Sequence, residues 1–191
     1  PGNVASFNTP NSLTAGTYDY EVTVTDNTLL TCISTTISGV LTVNPVPAAS
    51  FSPLTVDTFC QNESGVTISI TGDLGTAPYT FEYNIDGGTT QSVSTSGDTV
   101  TIPVDTTTDG VFNYNLESVS DANGCSEVIT GVSQAITVFP PPSLIITNPD
   151  PICVDDTVDL STTITPSDSG VTYTYWKNIG GTDVIANPNA V

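Results

Sequence analysis

The sequence has no histidine and no methionine, and only one of its 191 residues is basic, Lys177. With 20 acidic residues, the formal net charge is -19. A nucleic-acid-binding protein needs a basic surface that neutralises phosphates, so this composition excludes nucleic acid as a partner. Histidine is the commonest general acid or base in enzymes, and arginine is the usual clamp for anionic substrates. Their absence favours a protein that is not an enzyme.

Long apolar runs are also missing from the chain. No stretch of 18 apolar residues occurs, so the sequence predicts no membrane span, and the acidic excess opposes contact with an anionic membrane surface. Strong acidity can indicate disorder, but 37% of the residues are hydrophobic and they recur in short alternating runs, which favours a folded chain. Because the chain begins at Pro1 without a methionine, we expect it to be a segment of a longer protein.

Residues that favour helices are scarce as well. Charged residues make up 11% of the chain, and the polar positions are filled mainly by Thr, Ser, Asn and Gly. Apolar and polar residues alternate with the period of a strand at 66–70, 79–83 and 112–116, and turn residues separate these runs. About seven such strands follow one another between residues 48 and 138, the number that a small β-sandwich requires. The sequence therefore predicts an all-β fold.

Several segments recur at a nearly constant spacing. The offsets are 94 or 95 residues, and the matching segments are 16–22 with 110–116, 41–47 with 136–142, and 79–87 with 173–181. This period is about the length of one immunoglobulin-like β-sandwich domain. The repeats predict a tandem array of such domains.

Proline-rich segments occur at the same point of each repeat, at 44–47 and 139–142. Closely spaced prolines favour extended, semi-rigid geometry and suit a linker. We therefore expect three parts: residues 1–46 as the C-terminal part of one immunoglobulin-like repeat, residues 47–140 as a complete repeat, and residues 141–191 as the N-terminal part of a third.

The four cysteines fall into two classes within the repeats. Cys60 and Cys153 precede the first long strand, whereas Cys32 and Cys125 follow the Tyr-x-Tyr strand. One cysteine of each class then belongs to the complete repeat, which predicts a disulfide between Cys60 and Cys125, with Cys32 and Cys153 paired outside the segment. Closing that loop would stabilise the domain by about 4 kcal/mol and indicate an oxidising, extracytoplasmic compartment. Four free buried thiols are the alternative; a zinc site is disfavoured because no Cys-x-x-Cys spacing and no histidine occur.

Carboxylates near the proline-rich linkers and in the turns are candidate ligands for a bound ion. Ca²⁺ prefers carboxylate and carbonyl oxygens, and Asp residues cluster after the second joint at Asp150, Asp155 and Asp156, and in the turn that begins at Asp121. These four residues are the candidate calcium ligands, and the sequence indicates no other cofactor. No segment follows the EF-hand pattern, and Asp-Ala-Asn-Gly is also an ordinary turn sequence.

The strand sequences resemble a known group of repeats. Residues 16–26 resemble the Gly-x-Tyr-x-Tyr-x-Val-x-Val-x-Asp strand of PKD-like and related immunoglobulin-like repeats, and residues 114–125 resemble a segment of giant Bacteroidota-type surface proteins, including gliding-motility adhesins exported by the type IX secretion route. The resemblance implies an extracellular location on the bacterial cell surface. It also implies a stalk or filament whose partners are neighbouring repeats and, through an adhesive function, glycans or surfaces.

The same resemblance implies a set of modification sites. Short Asp-Thr-apolar and Asp-Thr-Thr segments resemble the O-glycosylation acceptors of Bacteroidota-type secreted proteins, and they place the acceptors at Thr99, Thr106 and Thr157. Asn62 stands in an Asn-Glu-Ser segment, which fits the N-linked pattern.

Two alternatives to a purely structural repeat stay open. In the first, the module binds carbohydrate through exposed aromatic side chains that stack on sugars, with Trp176 as the candidate because it falls on the strand face opposite Tyr173 and Tyr175. In the second, the repeats polymerise into a filament through exposed strand edges, so that the incomplete parts at 1–46 and 141–191 complete each other between chains.

Overall fold

The computed structural model describes residues 13–23, 36–166, 170–177 and 180–186. In this part of the chain the regular structure consists of thirteen β-strands and one short 3-10 helix, without an α-helix. The expectation of an all-β fold is therefore confirmed. The chain divides into two compact units, one up to Val138 and one from Phe139 onward. No helix among the described residues is long and apolar enough to cross a membrane.

The strands are numbered in chain order. Their bounds are β1 Gly16–Thr23, β2 Thr36–Val43, β3 Ala48–Phe51, β4 Thr58–Cys60, β5 Thr67–Asp73, β6 Thr80–Ile85, β7 Gln91–Ser94, β8 Thr99–Pro103, β9 Gly110–Ser120, β10 Ser126–Val128, β11 Ser133–Phe139, β12 Leu144–Ile146 and β13 Ile164–Pro166.

The first two strands form an antiparallel hairpin. Gly16 pairs with Val43, and Tyr20 pairs with Gly39. The ring of Tyr20 lies over Gly39, since a Cβ built on that glycine would stand 2.5 Å from the ring. Within the described residues this hairpin is a separate two-stranded sheet.

Strands β3 to β11 form two further sheets. The larger sheet has the order β4-β11-β9-β6-β7, with β10 paired to β9, and the smaller sheet has the order β3-β5-β8. Strands β6 and β7 pair antiparallel and form a hairpin. Its turn holds Asp86 and Gly87 at positive φ, 51° and 73°, a conformation that glycine adopts without strain.

One hydrophobic core joins these two sheets. Its most deeply buried side chains are Ile68 and Ile70 of β5, Phe81 of β6, Val119 of β9 and Ile136 of β11, each at most 1% exposed. The period-2 alternation of the sequence turns every second residue of these strands inward, which is why one face of each sheet is apolar.

Aromatic stacking and one close backbone approach complete the core. The rings of Tyr79 and Phe81 stack with centroids 6.1 Å apart, and those of Tyr83 and Tyr114 stack at 6.4 Å. Gly72 faces the Tyr79 ring, and a Cβ at that position would lie 2.6 Å from it. Only glycine fits there without displacing the ring.

The two termini of this domain lie at opposite ends of its longest strand. Pro47, just before β3, is fully buried beside Gly75 and Asp121, at the end where β9 finishes. The last strand, β11, runs antiparallel to β9 and pairs Val138 with Gly110, at the end where β9 begins. The chain therefore enters the domain at one end and leaves it at the other.

The unit that begins at Phe139 contains fewer strand pairs. Strand β12 pairs antiparallel with β13, joining Ile146 to Ile164. A 3-10 turn, Leu160–Thr163, precedes β13, and the Asp159 side chain caps it by accepting a hydrogen bond from the Ser161 backbone N–H. Further along, Trp176 forms a β-bridge with Val184.

Candidate functional site

Cys60 and Cys125 do not form the predicted disulfide in this structure. Cys60, Cys125 and Cys153 are free thiols, and Cys32 lies outside the described residues. Cys60 is at the end of the domain where β9 begins, because its neighbour Gln61 donates a hydrogen bond from Nε2 to the carbonyl oxygen of Thr107 at 2.7 Å.

Cys125 lies at the opposite end of the same domain, where it hydrogen-bonds Asp121 just after β9. The ten residue steps of β9 span roughly 33 Å, whereas a disulfide needs Cα atoms about 4.4–6.8 Å apart. The predicted Cys60–Cys125 disulfide is therefore not formed in this fold. Pairing of Cys32 and Cys153 outside the segment stays a prediction.

Both cysteines of the first class begin the same kind of turn. The Cys60 backbone N–H donates to Glu63 Oε2 at 2.9 Å, and the Glu63 N–H donates back to the Cys60 carbonyl oxygen at 3.1 Å. Cys153 and Asp156 make the same reciprocal pair, each bond 3.2 Å long. The carboxylate at the fourth position therefore closes a turn, and the cysteine side chain is not needed for its geometry.

Asp121 closes a second turn, directly after β9. It is 8% exposed, and its two carboxylate oxygens accept hydrogen bonds from the backbone N–H groups of Thr76, Asn123 and Cys125 at 2.9–3.0 Å. Burial raises the pKa of Asp121, but these hydrogen bonds outweigh it and leave the pKa below its ordinary value. The carboxylate ties the β9–β10 turn to the segment around Gly75, and its acceptor positions are already in use.

The predicted calcium ligands do not form a binding site in the described part of the chain. No group of three or more His, Cys, Asp or Glu side chains lies close enough there to hold a metal ion. The oxygens of Asp121 and one oxygen of Asp156 accept backbone hydrogen bonds instead. Asp150 and Asp155 are exposed, and Asp155 occupies a turn position with φ of 72°.

The predicted glycosylation sites differ in exposure. Thr99 and Thr157 are exposed, and so is Asn62. Thr106 is only 6% exposed, and its hydroxyl donates a hydrogen bond to the Glu63 carbonyl oxygen at 2.7 Å. The folded domain does not present that hydroxyl to an enzyme, so Thr106 is corrected from an acceptor to a buried structural residue.

Trp176, the candidate for carbohydrate stacking, is more exposed than the nearby Tyr173 and Tyr175. Its side chain is 44% exposed, and its indole lies 3.7 Å from the position of a Cβ on Gly181. Tyr173 and Tyr175 are half-buried, in agreement with the alternation of the sequence. The Tyr173 hydroxyl is buried without a hydrogen-bond partner among the described atoms.

A buried polar cluster that sequence reasoning missed lies on β6 and β9. Asn84 is 9% exposed and donates from Nδ2 to Glu117 Oε1 at 2.6 Å, while its Oδ1 accepts from the Gly87 backbone N–H at 2.8 Å. Hydrogen bonds from Thr90 and Asn84 hold the pKa of Glu117 below its ordinary value. The cluster fixes the β6–β7 turn against β9.

Sequence reasoning also missed an apolar surface on the β1–β2 hairpin. Tyr20, Val22 and Ile37 lie on one face and are 51%, 51% and 67% exposed. Strict alternation from residue 16 to residue 23 was the available signal, because it places Tyr18, Tyr20 and Val22 on the same side. This hairpin face is the strongest candidate interaction surface among the described residues.

Neither known protein families nor curated proteins give a match to this chain.

Proposed function

We propose that this chain is a structural repeat module of an extracellular bacterial stalk, filament or adhesin, built from tandem immunoglobulin-like β-sandwich repeats joined by proline-rich linkers. Its strand sequences resemble those of PKD-like repeats and of giant Bacteroidota-type surface proteins that leave the cell by type IX secretion. The role is mechanical: the repeats extend a distal part of the protein away from the cell, and they carry out no catalysis.

A single observation carries this proposal: strand pairings recur at the repeat spacing. In the hairpin Gly16 pairs with Val43, and in the complete domain Gly110 pairs with Val138. These matched pairs lie 94 and 95 residues apart, as the sequence repeats do.

The N-terminal part of the repeat recurs in the same way. The Ser52 backbone N–H donates to the Ser69 carbonyl oxygen at 2.9 Å, and the Thr147 N–H donates to the Thr163 carbonyl oxygen at 2.8 Å. The reciprocal turns at Cys60 and Cys153 add a third match. Three independent local geometries that recur after 93 to 95 residues support a tandem array of one fold.

The placement of the termini supports an extended array. The chain enters the 47–138 domain beside Asp121 and leaves it some 33 Å away, at the other end of β9. Domains joined in this way add length with each repeat, which suits a stalk. The resemblance to repeats of secreted surface proteins supports the proposed extracellular location.

The experiment is surface labelling of cells that produce the protein. An antibody raised against residues 47–140 should label intact cells, and the label should disappear after brief protease treatment that leaves cytoplasmic proteins untouched. Labelling that appears only after the cells are permeabilised would contradict the proposed location and role.

Carbohydrate binding is the second candidate function, and the exposed indole of Trp176 favours it. Aromatic rings that are open on one face stack on sugars. Binding on a glycan array should be lost in Trp176→Ala and retained in Val184→Ala, which changes the neighbouring strand but leaves the indole. An array without any bound glycan would rule this function out.

A further inference from the structure

The first and last strands of the domain formed by β3 to β11 lie in different sheets and end at opposite ends of the domain. Strand β3 begins beside Pro47 and Asp121, at what we call the entry end. Strand β11 finishes beside Gly110, at the exit end. In the stalk that we propose, force passes along the chain, so these two ends are pulled apart.

Strand β3 is held by one ladder of backbone hydrogen bonds. It pairs antiparallel with β5 over its whole length, and the Ser52 N–H continues the ladder by donating to the Ser69 carbonyl oxygen at 2.9 Å. Hydrogen bonds of an antiparallel ladder lie perpendicular to the strands. A pull on Pro47 acts along the axis of β3, so it loads these bonds together and does not open them one after another.

Strand β11 is held on two sides. It forms six residue pairs with β9, the last of them between Val138 and Gly110. Strand β4 lies on its other side, and just before β4 the Asp57 carbonyl oxygen accepts a hydrogen bond from the Thr137 N–H at 2.8 Å. A pull at the exit end acts along β11 and loads both sides in shear.

Buried side chains oppose sliding of the two terminal strands. Ile136 and Val138 of β11 are 0% and 2% exposed, and a slip of one residue would turn both towards solvent because the faces of a strand alternate. At the entry end Pro47 is fully buried against Gly75, where an added Cβ would lie 3.0 Å from the Cβ of Pro47. Movement of either strand along its axis therefore breaks packing as well as hydrogen bonds.

The two ladders differ in length. Strand β3 has four residue pairs with β5, whereas β11 has six pairs with β9 and also borders β4. Because fewer bonds share the load on β3, the β3–β5 ladder is the one that yields first.

We infer that the β3–β11 domain is a mechanical clamp: when it is pulled through its proline-rich linkers, it resists unfolding by shear of its terminal strands, and the β3–β5 ladder sets its lifetime under force. This role rests on the proposed function, because a stalk transmits force from repeat to repeat. It adds resistance to load, in a named pair of strands, to the simple extension of a distal part.

The test is unfolding of the 191-residue chain at constant force, with one peptide handle at each end. Unfolding of the domain releases the 92 residues from 47 to 138. At about 3.6 Å per residue, and after subtraction of a folded span of about 33 Å, the chain should lengthen by about 300 Å. This step identifies the unfolding of the domain, and the waiting time before it is the lifetime under force.

Ser50→Pro removes one hydrogen bond from the loaded ladder. Hydrogen-bonded pairs alternate along an antiparallel ladder, so the Ser50 N–H, two residues before that of Ser52, also donates to β5. Proline has no N–H to donate. The lifetime under force should fall at least about fivefold, the ratio that corresponds to the loss of one hydrogen bond.

Glu127→Pro is the matched control. Glu127 is exposed, as Ser50 is, and its N–H belongs to the β9–β10 ladder, because the Ile129 N–H two residues later donates to the Glu117 carbonyl oxygen. In the described part of the chain β10 pairs with β9 alone, away from both terminal strands. Both variants should lower the urea midpoint to a similar extent. Glu127→Pro should leave the lifetime under force within about twofold of the parent, because the β10 contacts persist while β3 detaches.

A milder pair of variants covers the case in which a proline variant fails to fold. Gly75→Ala places a methyl group against Pro47 and Asp121, so it should shorten the lifetime under force. Gly97→Ala, with no atom within 4 Å of the new Cβ, should leave that lifetime unchanged.

Equal lifetimes of Ser50→Pro and Glu127→Pro under force would overturn the clamp, and so would equal lifetimes of Gly75→Ala and Gly97→Ala. A parent chain that lengthens gradually, without a step of the expected size, would overturn it too. Surface labelling of cells is independent of these lifetimes, so the proposed function and the clamp fail separately.

Discussion

Val119 offers the sharpest test of the core that strands β3 to β11 share. It lies on β9, is fully buried, and pairs with Phe81 across the sheet. Val119→Ala removes two carbon atoms, worth about 0.8 kcal/mol each in lost burial, and leaves a cavity that adds a comparable amount. We expect a loss of about 2–3 kcal/mol, against a total stability of about 5–14 kcal/mol for a domain of this size.

The single tryptophan of the sequence, Trp176, belongs to the other compact unit, so its fluorescence does not report on this core. Hydrogen exchange measured by mass spectrometry is therefore the suitable assay. Peptides that cover β6 and β9 should exchange roughly 30- to 140-fold faster in Val119→Ala, the ratio that corresponds to the expected loss. Val128→Ala is the matched control, because the same atoms are removed from a side chain that is 74% exposed on the adjoining strand β10. It should change stability by less than about 0.5 kcal/mol. Equal effects of the two variants would refute the assigned core.

Three further predictions concern the turns, the close contact and the thiols. Gly72→Ala places a methyl group 2.6 Å from the Tyr79 ring and should cost about 1–3 kcal/mol in urea denaturation, whereas Gly97→Ala, with no atom within 4 Å, should not. The pKa of Asp121 lies below its ordinary value of 3.8, so its charged form stabilises the fold above that pH, and this contribution disappears as the pH falls through the lowered pKa. Asp121→Asn should therefore lower the urea midpoint at neutral pH and reduce the further loss on acidification; an unchanged acid dependence would contradict the role of the carboxylate. Cys60 should react with iodoacetamide without prior reduction, and protection of its thiol until a reductant is added would show that it is bonded.

The core positions follow from the sequence because a strand has a fixed period of two residues. The alternating runs at 66–70, 79–83 and 112–116 correspond to β5, β6 and β9, whose inward residues form the core. The turn after residue 83 was predictable for a similar reason, since Asp-Gly at 86–87 suits backbone with positive φ. In each case the physical cause is local, so a short sequence window contains it.

The absence of the Cys60–Cys125 disulfide could not be predicted, because the separation of the two cysteines is set by the topology and not by the local sequence. Comparison of the internal repeats predicts that Cys60 and Cys125 belong to one repeat. Only the topology shows that they lie near opposite ends of β9. The same limit applies to Thr106, whose Asp-Thr context predicts an acceptor while its burial depends on the turn at Glu63. The sequence also did not indicate that backbone N–H groups donate hydrogen bonds to two of the candidate calcium ligands, Asp121 and Asp156.

The central claim is the proposal that residues 1–46 and residues 141–191 are parts of repeats with the same fold as 47–140. The most direct measurement uses a fused chain that consists of residues 141–191, a short flexible linker and residues 1–46. Its crystal structure and its unfolding in urea are determined. We expect cooperative unfolding, and we expect residues 173–177 to form a strand that pairs with β1 as β6 pairs with β9. A fused chain that unfolds without cooperativity, or that folds with β1 unpaired to residues 173–177, would contradict it.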